Sequence, residues 1–288
     1  MRAGKCKRCY QISRCPTCNA PLRGFHHVGV RGGALSSSSI WHIGSPCGHL
    51  VPEETLIPEV SGGGVPIVYN GGPLWKAGYQ WVNVFWGSFW DGNSWIDTID
   101  RAVADMESDA SYSGGLRQYG VGMGGLKGHY LITENPPAVV TSEDIGNAIL
   151  SWIKVSAVPD VGIAGAYNIL LPPGVSATLS GSRSCVQFCD YHDSVSGSSG
   201  PFFTCEPYPC STGCNQCTPN PFDTLTQGLS EEMVELKTDM DPGTGWVIGN
   251  EELCDYCDSS YVCNRLASGE YVNAWYDRST GSCWTPLQ

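Results

Sequence analysis

The apolar residues in the middle of the chain follow two spacings, one typical of buried strands and one typical of helices. Residues 78–90 (GYQWVNVFWGSFW) are rich in aromatic and β-branched side chains without clean alternation, which predicts a strand buried on both faces. In the next segment, 93–108, apolar residues recur every three to four positions, at Ile96, Ile99, Val103 and Met106. This period predicts a helix with Asn93 as its N-cap.

The alternation of strand and helix continues toward the C terminus. Residues 126–133 and 164–175 have the composition of two further strands. Between them, residues 141–155 have a helical period, and Thr141 and Asp144 stand at the spacing of a capping box. The middle of the chain therefore predicts strands that are connected by helices.

A third helix is predicted over residues 222–239. Its apolar stripe consists of Leu225, Leu229, Met233 and Leu236. The elements then follow in the order strand, helix, strand, helix, strand, helix, with a cysteine-rich tail at the end. This order predicts an α+β or α/β fold in three layers, with helices packed on a sheet.

The composition divides the chain into a small module and a main domain. Residues 1–60 show no convincing helical or strand period and contain five cysteines, and the SGGG segment at 61–64 has the composition of a linker. The main domain covers residues 61–288. Within it we expect a disulfide-rich insert at 180–222 and a disulfide-rich tail of turns and short strands at 240–288.

The cysteines of the N-terminal module have the spacing of metal-binding knuckles. A C-x2-C pair followed much later by C-G-H is similar to a zinc ribbon, in which tight turns present thiolates to one ion. The predicted zinc ligands are Cys15, Cys18, Cys47 and His49, with His42 as the alternative to His49. Cys6 and Cys9 then either form a short-loop bridge or take no part. Two disulfides are the alternative to zinc in this module.

The cysteine content of the main domain points to an oxidising compartment. Of the 15 cysteines, ten lie in an even set toward the C terminus that suits disulfides. The disulfide candidates are Cys185, Cys189, Cys205, Cys210, Cys214, Cys217, Cys254, Cys257, Cys263 and Cys283. We therefore expect an extracellular or surface-associated protein, although no signal-peptide pattern is visible in this sequence.

The charge balance argues against nucleic acid as a partner. Sixteen basic and 28 acidic residues give a formal net charge of −12, so most of the surface repels a phosphate backbone. The chain also has no run of about 18 apolar residues, so no membrane span is predicted.

The third predicted helix carries an acidic cluster. Glu231 and Glu235 are four residues apart and share a face, while Glu232 lies about 100° around the helix. One interpretation is a solvated acidic face whose repulsion is softened by Lys237. The other is a cation site, because clustered carboxylate oxygens suit Ca, Mn or Mg, and less readily Zn.

Several stretches of the main domain resemble, in the same order, segments of the Exordium-like, phosphate-induced protein family. These stretches are VPIVYNGGPLWKAGYQWVNVFWGSF, VTSEDIGNAILSWI, AYNILLPPGV, CDYHDS, LSEEMVELKTDMDPGTGW and EELCDYC. The resemblance covers about residues 65–285 and leaves the N-terminal module outside. It implies a zincin-like α+β fold with helices on a mixed sheet, because the late helix of microbial relatives, S-H-E-[ML]-x-E-x-x-T-D-P, is similar to a zincin metallopeptidase helix.

The family motif can be carried over position by position. Ser230, Glu232, Glu235 and Asp239 match its Ser, first Glu, second Glu and Asp, and Glu252, Asp255 and Cys257 match a later E-I-G-D-x-C motif. The resemblance implies that Glu232 is a general base and that Glu231, Glu235 and Asp255 hold an ion. Glu231 stands where the family has its histidine.

A carboxylate in place of that histidine changes the expected chemistry. It adds negative charge, so the site becomes harder, its bound water becomes less acidic and its affinity for Zn falls. Three outcomes stay open: a Ca or Mn site, a retained fold without activity, and an unusual working site. We expect the second, a pseudoenzyme.

The expected function is therefore that of a non-catalytic, metallopeptidase-like extracellular protein that acts by binding or structural assembly. Its N-terminal module would serve as a device for docking to protein partners or for self-assembly. A metal-dependent peptidase that uses the 231–235 acidic helix is the first alternative. A glycan-binding surface is the second, with Trp90 and Trp95 as candidate exposed rings, because Trp81 and Trp86 lie in the strand predicted to be buried.

His192 is the histidine of the main domain that could take part in this site. It lies in the CDYHDS stretch, which resembles a histidine-containing segment of the family. It could approach the acidic helix, or it could be a structural histidine fixed by Asp190 or Asp193.

Overall fold

The computed structural model describes residues 66–210, 214, 217–258 and 263–286. In the N-terminal module it gives six two-residue strands, paired as Ser13–Arg14 with Pro21–Leu22, Phe25–His26 with Ile40–Trp41, and Val30–Arg31 with Ala34–Leu35. The predicted zinc ligands Cys15, Cys18, Cys47 and His49 lie outside the described residues. The zinc ribbon therefore stays a prediction.

Five strands form the central sheet of the main domain. In chain order they are β1 (Gln80–Trp86), β2 (Gly125–Ile132), β3 (Gly165–Leu170), β4 (Tyr191–Ser194) and β5 (Phe202–Glu206). Their spatial order is β4-β5-β3-β1-β2. Strands β5, β3, β1 and β2 run parallel, and β4 pairs antiparallel with β5 at one edge. The sheet is mixed, as the sequence predicts.

Helices cover both faces of this sheet. They are α1 (Trp95–Ser108), α2 (Ser142–Lys154) and α3 (Pro221–Thr238). Ile99 of α1 and Leu229 of α3 belong to one core with Trp81, whereas Ile145 of α2 belongs to a second core with Val82. Because successive strand residues point to opposite faces, β1 supplies both cores. Within the described part of the chain, no helix combines the length and apolar composition of a membrane span.

Short elements complete the described chain. Ile67–Tyr69 pairs with Trp246–Ile248, Asn264–Arg265 with Tyr271–Val272, and Tyr276–Asp277 with Ser282–Cys283, while Val139–Thr141, Ser176–Leu179 and Ser182–Arg183 form a three-stranded sheet. The short helices are Ser88–Trp90, Gly114–Tyr119 and Asp255–Asp258. The first of these strand pairs joins the start of the main domain to the segment that follows α3.

The helix termini follow local sequence signals. Thr141 Oγ1 accepts a hydrogen bond from Asp144 N at 3.0 Å, and Asp144 Oδ2 accepts one from Thr141 N at 2.8 Å. The predicted capping box of α2 is therefore confirmed. Helix α1 has Ser94 as its N-cap instead of Asn93. The Asn93 side chain acts one residue earlier, where its Oδ1 accepts a hydrogen bond from Trp95 N at 3.0 Å.

The segment predicted as a disulfide-rich insert contains two strands of the central sheet that no pattern in the sequence predicts. Strands β4 and β5 both lie between residues 180 and 222 and extend the sheet by two strands. Disulfides are predicted in the C-terminal half, and the described residues contain four. They join Cys185 to Cys210, Cys189 to Cys214, Cys217 to Cys263, and Cys257 to Cys283. The insert is thus part of the core sheet as well as a bridged segment.

Two of the ten disulfide candidates are wrong. Cys205 and Cys254 are buried thiols. Cys205 lies in β5 and packs in the core on the α2 face, and Cys254 lies in the core on the α3 face. Because these two cores are separated by the sheet, the two sulfurs cannot meet. The even count of cysteines was therefore a misleading signal for this pair.

The burial of the tryptophan side chains agrees only in part with the prediction. Trp81 and Trp86 are buried, as predicted. Trp90 is also buried, with 1% of its surface exposed, and its Nε1 donates to the Leu170 carbonyl at 3.1 Å. The prediction of exposure is therefore wrong for Trp90. Trp95 is partly exposed, but its ring stacks on Tyr208 with a centroid separation of 5.5 Å.

Candidate metal centre

The acidic part of α3 lies inside the fold. Glu232 and Glu235 have no exposed surface, and Glu231 is 7% exposed. Lys237 is buried too, but its Nζ contacts Glu107 Oε1 at 2.7 Å. The interpretation of this helix as a solvated acidic face softened by Lys237 is therefore wrong. Burial of several carboxyl groups on one helix requires protons, hydrogen bonds or a cation to compensate them.

The three residues predicted to hold an ion come together. Glu231, Glu235 and Asp255 each place one carboxyl oxygen within 4.8 Å of the other two. Glu231 and Glu235 are one helical turn apart on α3, which puts them on the same face. Asp255 begins the short helix Asp255–Asp258, and its backbone N–H donates to Glu235 Oε1 at 3.1 Å. This contact joins the tail to α3.

Two hydrogen bonds orient the Glu231 side of this group. Asn273 Nδ2 donates to Glu231 Oε2 at 2.7 Å, and Asn273 N donates to Ser230 Oγ at 2.7 Å. A single residue of the tail therefore contacts two successive residues of α3. Such contacts hold a carboxylate in a defined orientation, as the groups that surround metal ligands do.

Glu232 points toward the edge strand β4. Its Oε2 lies 3.1 Å from His192 Nδ1, and both side chains are buried. His192 Nε2 lies 3.0 Å from the Asp239 carbonyl oxygen. A carbonyl can only accept, so Nε2 carries the proton. Nδ1 then either accepts from a protonated Glu232 or, in imidazolium, donates to a Glu232 carboxylate.

Of the two roles considered for His192, the structure supports the approach to the acidic helix. His192 groups with Glu232 and Glu235, whose possible ligand atoms all lie within 4.8 Å of one another. Its Nε2 also lies 3.7 Å from Glu252 Oε1. Asp193, one proposed structural partner, instead accepts a hydrogen bond from Ser142 Oγ.

Asp239 has a structural role. Its Oδ1 accepts from the backbone N–H groups of Thr244 and Gly245 at 2.9 and 2.5 Å, and its Oδ2 accepts from Gly243 N at 2.6 Å. Both oxygens are thus occupied by the turn that follows α3. Asp239 therefore fixes that turn and positions its own carbonyl against His192, and it is a poorer candidate for a ligand than its neighbours.

A second acidic group also includes Glu231. Asp190, Glu231 and Glu232 also bring three carboxyl oxygens within 4.8 Å of one another. Asp190 can approach because residue 228 is glycine. A Cβ atom at Gly228 would lie 1.9 Å from Asp190 Oδ2. Glu206 at the end of β5 is 2% exposed and lies close enough to Asp190 to interact electrostatically.

The electrostatics follow from this crowding. Burial, with neighbouring acids, raises the pKa of Glu232 and Glu235 well above the ordinary value of 4.5. Asp190 is the main acidic neighbour for Glu232, and Glu252 for Glu235. Burial raises the pKa of Glu206 as well. Without a cation, these groups retain protons at pH values where exposed glutamates are ionised.

A pocket of about 290 Å³ lies against His192. Its lining includes the polar residues Ser142, Ser180 and Asp193. His192 therefore stands between this pocket and Glu232. The ligand group of Glu231, Glu235 and Asp255 does not line the pocket.

Patterns in the sequence point to Glu231, Glu232, Glu235 and Asp255 as members of this cluster, but not to Asp190. The available signal was the pairing of Asp190 with His192 in one short stretch, together with a glycine inside α3. An interior glycine in a helix often marks a close approach by another group. In comparisons with protein-family models, curated proteins and solved structures, no match to this chain is found.

Proposed function

We propose that this chain is an extracellular, metallopeptidase-like protein that binds a divalent cation through Glu231, Glu235 and Asp255, and that it acts by binding or assembly instead of hydrolysis. Carboxylate oxygens are hard ligands, so Ca or Mn is the preferred ion. The resemblance to Exordium-like proteins and the four disulfides support the zincin-like and extracellular parts of the proposal.

One observation carries the proposal. Glu235 is fully buried, and its Oε2 has no hydrogen-bond partner among the described residues. An unsatisfied buried polar atom costs about 1–3 kcal/mol, and more if it is charged. A cation beside this oxygen removes the cost. A closed site of this kind suits an ion that stabilises the fold, whereas catalytic ions keep a coordination position open to substrate.

Metal analysis of the full chain tests the proposal. The protein is first stripped of metal and then dialysed against buffer that contains trace Ca and Mn. Elemental mass spectrometry should then find bound Ca or Mn. Glu235→Gln should lose that metal, and the matched change Glu143→Gln on the exposed start of α2 should keep it. Zinc that disappears with Cys18→Ser belongs to the N-terminal module. Absence of Ca and Mn, with a melting temperature that neither chelator nor cation changes, would contradict the proposal.

Hydrolysis is the second candidate function, and the contact between His192 and Glu232 beside the 290 Å³ pocket favours it. Here Glu232 would act as general base. Casein and peptide hydrolysis should be measured with Zn, Mn and Ca supplied. Activity that Glu232→Gln abolishes without changing the melting temperature would establish the hydrolase, and an inactive wild-type protein would eliminate it.

Assembly through the basic start of the N-terminal module is the remaining part of the proposal. The stretch MRAGKCKRCYQISR is positively charged, while the whole chain has a net charge of −12. Such complementarity favours head-to-tail association at low ionic strength. Sedimentation velocity at high protein concentration should show oligomers at low salt that dissociate at high salt, and a monomer under both conditions would contradict assembly.

A further inference from the structure

We propose that the acidic cluster holds two divalent cations and that Glu231 is the carboxylate that bridges them. The first ion occupies the group of Glu231, Glu235 and Asp255, and the second occupies the group of Asp190, Glu231 and Glu232. This inference rests on the proposed cation-binding function and extends it to a second site.

The geometry of the two groups supports one ion in each. In both groups the three possible ligand oxygens lie within 4.8 Å of one another. Oxygens on opposite sides of a calcium ion with bonds of 2.3–2.6 Å are about 4.6–5.2 Å apart. One ion can therefore contact all three oxygens of a group. Glu231 belongs to both groups, and its two carboxyl oxygens allow it to bind one ion with each.

Unsatisfied oxygens provide an independent indication in each group. Glu235 Oε2, in the first group, and Glu232 Oε1, in the second, are buried and have no hydrogen-bond partner among the described residues. Both side chains have no exposed surface. When these carboxyl groups are ionised, one ion in the first group leaves Glu232 Oε1 in the second group uncompensated, so a second ion is needed to neutralise both groups.

Gly228 shows that the second group is a built feature of the fold. Glycine inside a helix is less favourable than alanine by about 1 kcal/mol. Here it leaves the space that the Asp190 carboxylate occupies, since a Cβ at this position would lie 1.9 Å from Asp190 Oδ2. The helix therefore accepts a locally unfavourable residue at the one point where a third carboxylate meets Glu231 and Glu232.

A carboxylate at position 231 is also the residue type that a two-ion centre needs. Two cations held about 3.5–4 Å apart are usually shared by bridging oxygen ligands. A neutral imidazole offers one lone pair and serves one ion only. Replacement of Glu231 by histidine should therefore convert a two-ion centre into a one-ion centre.

The test is a manganese titration of the full, metal-stripped chain, read by elemental mass spectrometry and by electron paramagnetic resonance. Wild-type protein should bind two Mn²⁺ per chain and show the signal of a magnetically coupled pair. Asp190→Asn and Gly228→Ala should each bind one Mn²⁺ and show an isolated-ion spectrum, and Glu231→His should do the same. Glu143→Gln, as the matched control, should still bind two.

The possible outcomes separate this inference from the function on which it rests. One Mn²⁺ per wild-type chain, lost in Glu235→Gln, overturns the second site and leaves the proposed function standing. No bound Mn²⁺ overturns both. Two uncoupled ions that persist in Gly228→Ala overturn the bridge through Glu231. Circular dichroism of each variant confirms that it is folded, and Asp190→Asn, which preserves side-chain shape, decides the result if Gly228→Ala is unfolded.

Discussion

Lys237 Nζ lies 2.7 Å from Glu107 Oε1, and neither residue is more than 2% exposed. The same glutamate accepts from Trp81 Nε1 at 2.7 Å and from Gly124 N at 2.8 Å, while the lysine also donates to Ser113 Oγ at 3.2 Å. This pair joins α1 to α3. Lys237 therefore pairs with a residue of α1 and not with the glutamates of the acidic cluster on α3.

Breaking this pair should destabilise the protein strongly. Lys237→Met leaves the Glu107 carboxylate buried without its cation, and loss of one partner of a buried pair costs about 3–5 kcal/mol. Urea unfolding, monitored by tryptophan fluorescence, measures the change. The double variant Glu107→Gln/Lys237→Met should recover part of the loss, and strictly additive effects of the two changes would show that the pair is not coupled.

Cation removal should make the stability of the fold depend on pH. Burial raises the pKa of Glu232 and Glu235 in the folded state above the ordinary value of 4.5. The contribution of these two groups to the stability of the metal-free protein should then be full below this value and be lost as pH rises through the raised pKa values, by about 1.4 kcal/mol per pH unit for each group. Bound cations compensate the ionised carboxylates and should flatten this dependence.

Melting temperatures between pH 4 and 8, with chelator and with excess Ca²⁺, provide the measurement. The gap between the two curves should widen as pH rises. Glu235→Gln should reduce the slope in chelator, because it removes one group with a raised pKa. Parallel curves at every pH would rule out a role for cations in compensating these groups.

The capping box of α2 should contribute about 1 kcal/mol. Thr141→Ala removes the acceptor for Asp144 N, one of the N–H groups that has no partner within the helix. The hydrogen bond from Thr141 N lowers the pKa of Asp144, so the contribution of Asp144 is present above the ordinary value of 3.8 and is lost as pH falls through the lowered pKa.

Urea unfolding of Thr141→Ala and Asp144→Asn at pH 7 and pH 3 tests this cap. Both variants should be less stable than wild type at pH 7, and the difference for Asp144→Asn should shrink at pH 3. Glu143→Gln changes the charge of the same helical turn without touching the box. An equal loss in that variant would assign the effect to charge instead of capping.

Cys205 and Cys254 should resist alkylation in the folded protein. Burial raises the pKa of the Cys205 thiol well above its ordinary value, and the thiolate is the reactive form. Peptide mapping after iodoacetamide treatment should find both cysteines modified only when denaturant is present. It should also find the four disulfides between the other eight C-terminal cysteines. A bridge between Cys205 and Cys254 would contradict the fold.

The sequence predicts the periodic part of this fold well, because α1, α2 and α3 each bury an apolar stripe that is continuous along the chain. Their helices lie where the three-to-four residue spacing places them. Strands β4 and β5 were missed because their segment is dominated by cysteine, serine and proline. Their stability comes from the pairing of β5 with β3, from the pairing of β4 with β5 and from bridges between distant residues, which no local period reveals.

The candidate site was predictable only in part, for a related reason. Glu231 and Glu235 share a face by helix geometry alone, so their proximity follows from the sequence. Asp190 and His192 reach the cluster through the register of β4 on β5, which depends on the whole sheet. The burial of Glu232 is likewise a tertiary property, since charged residues are usually exposed and the sequence offers no sign that this helix is covered on every side.

Two of the four disulfides anchor chain segments that carry members of the acidic cluster. Asp190 follows Cys189 directly, and Asp255 lies between Cys254 and the bridged Cys257. The chain segments that bring these carboxylates to α3 are therefore anchored by covalent bonds that form after synthesis. If the acidic cluster binds the proposed cations, we expect binding to be weaker in the reduced chain, because reduction leaves the segments that carry Asp190 and Asp255 untethered.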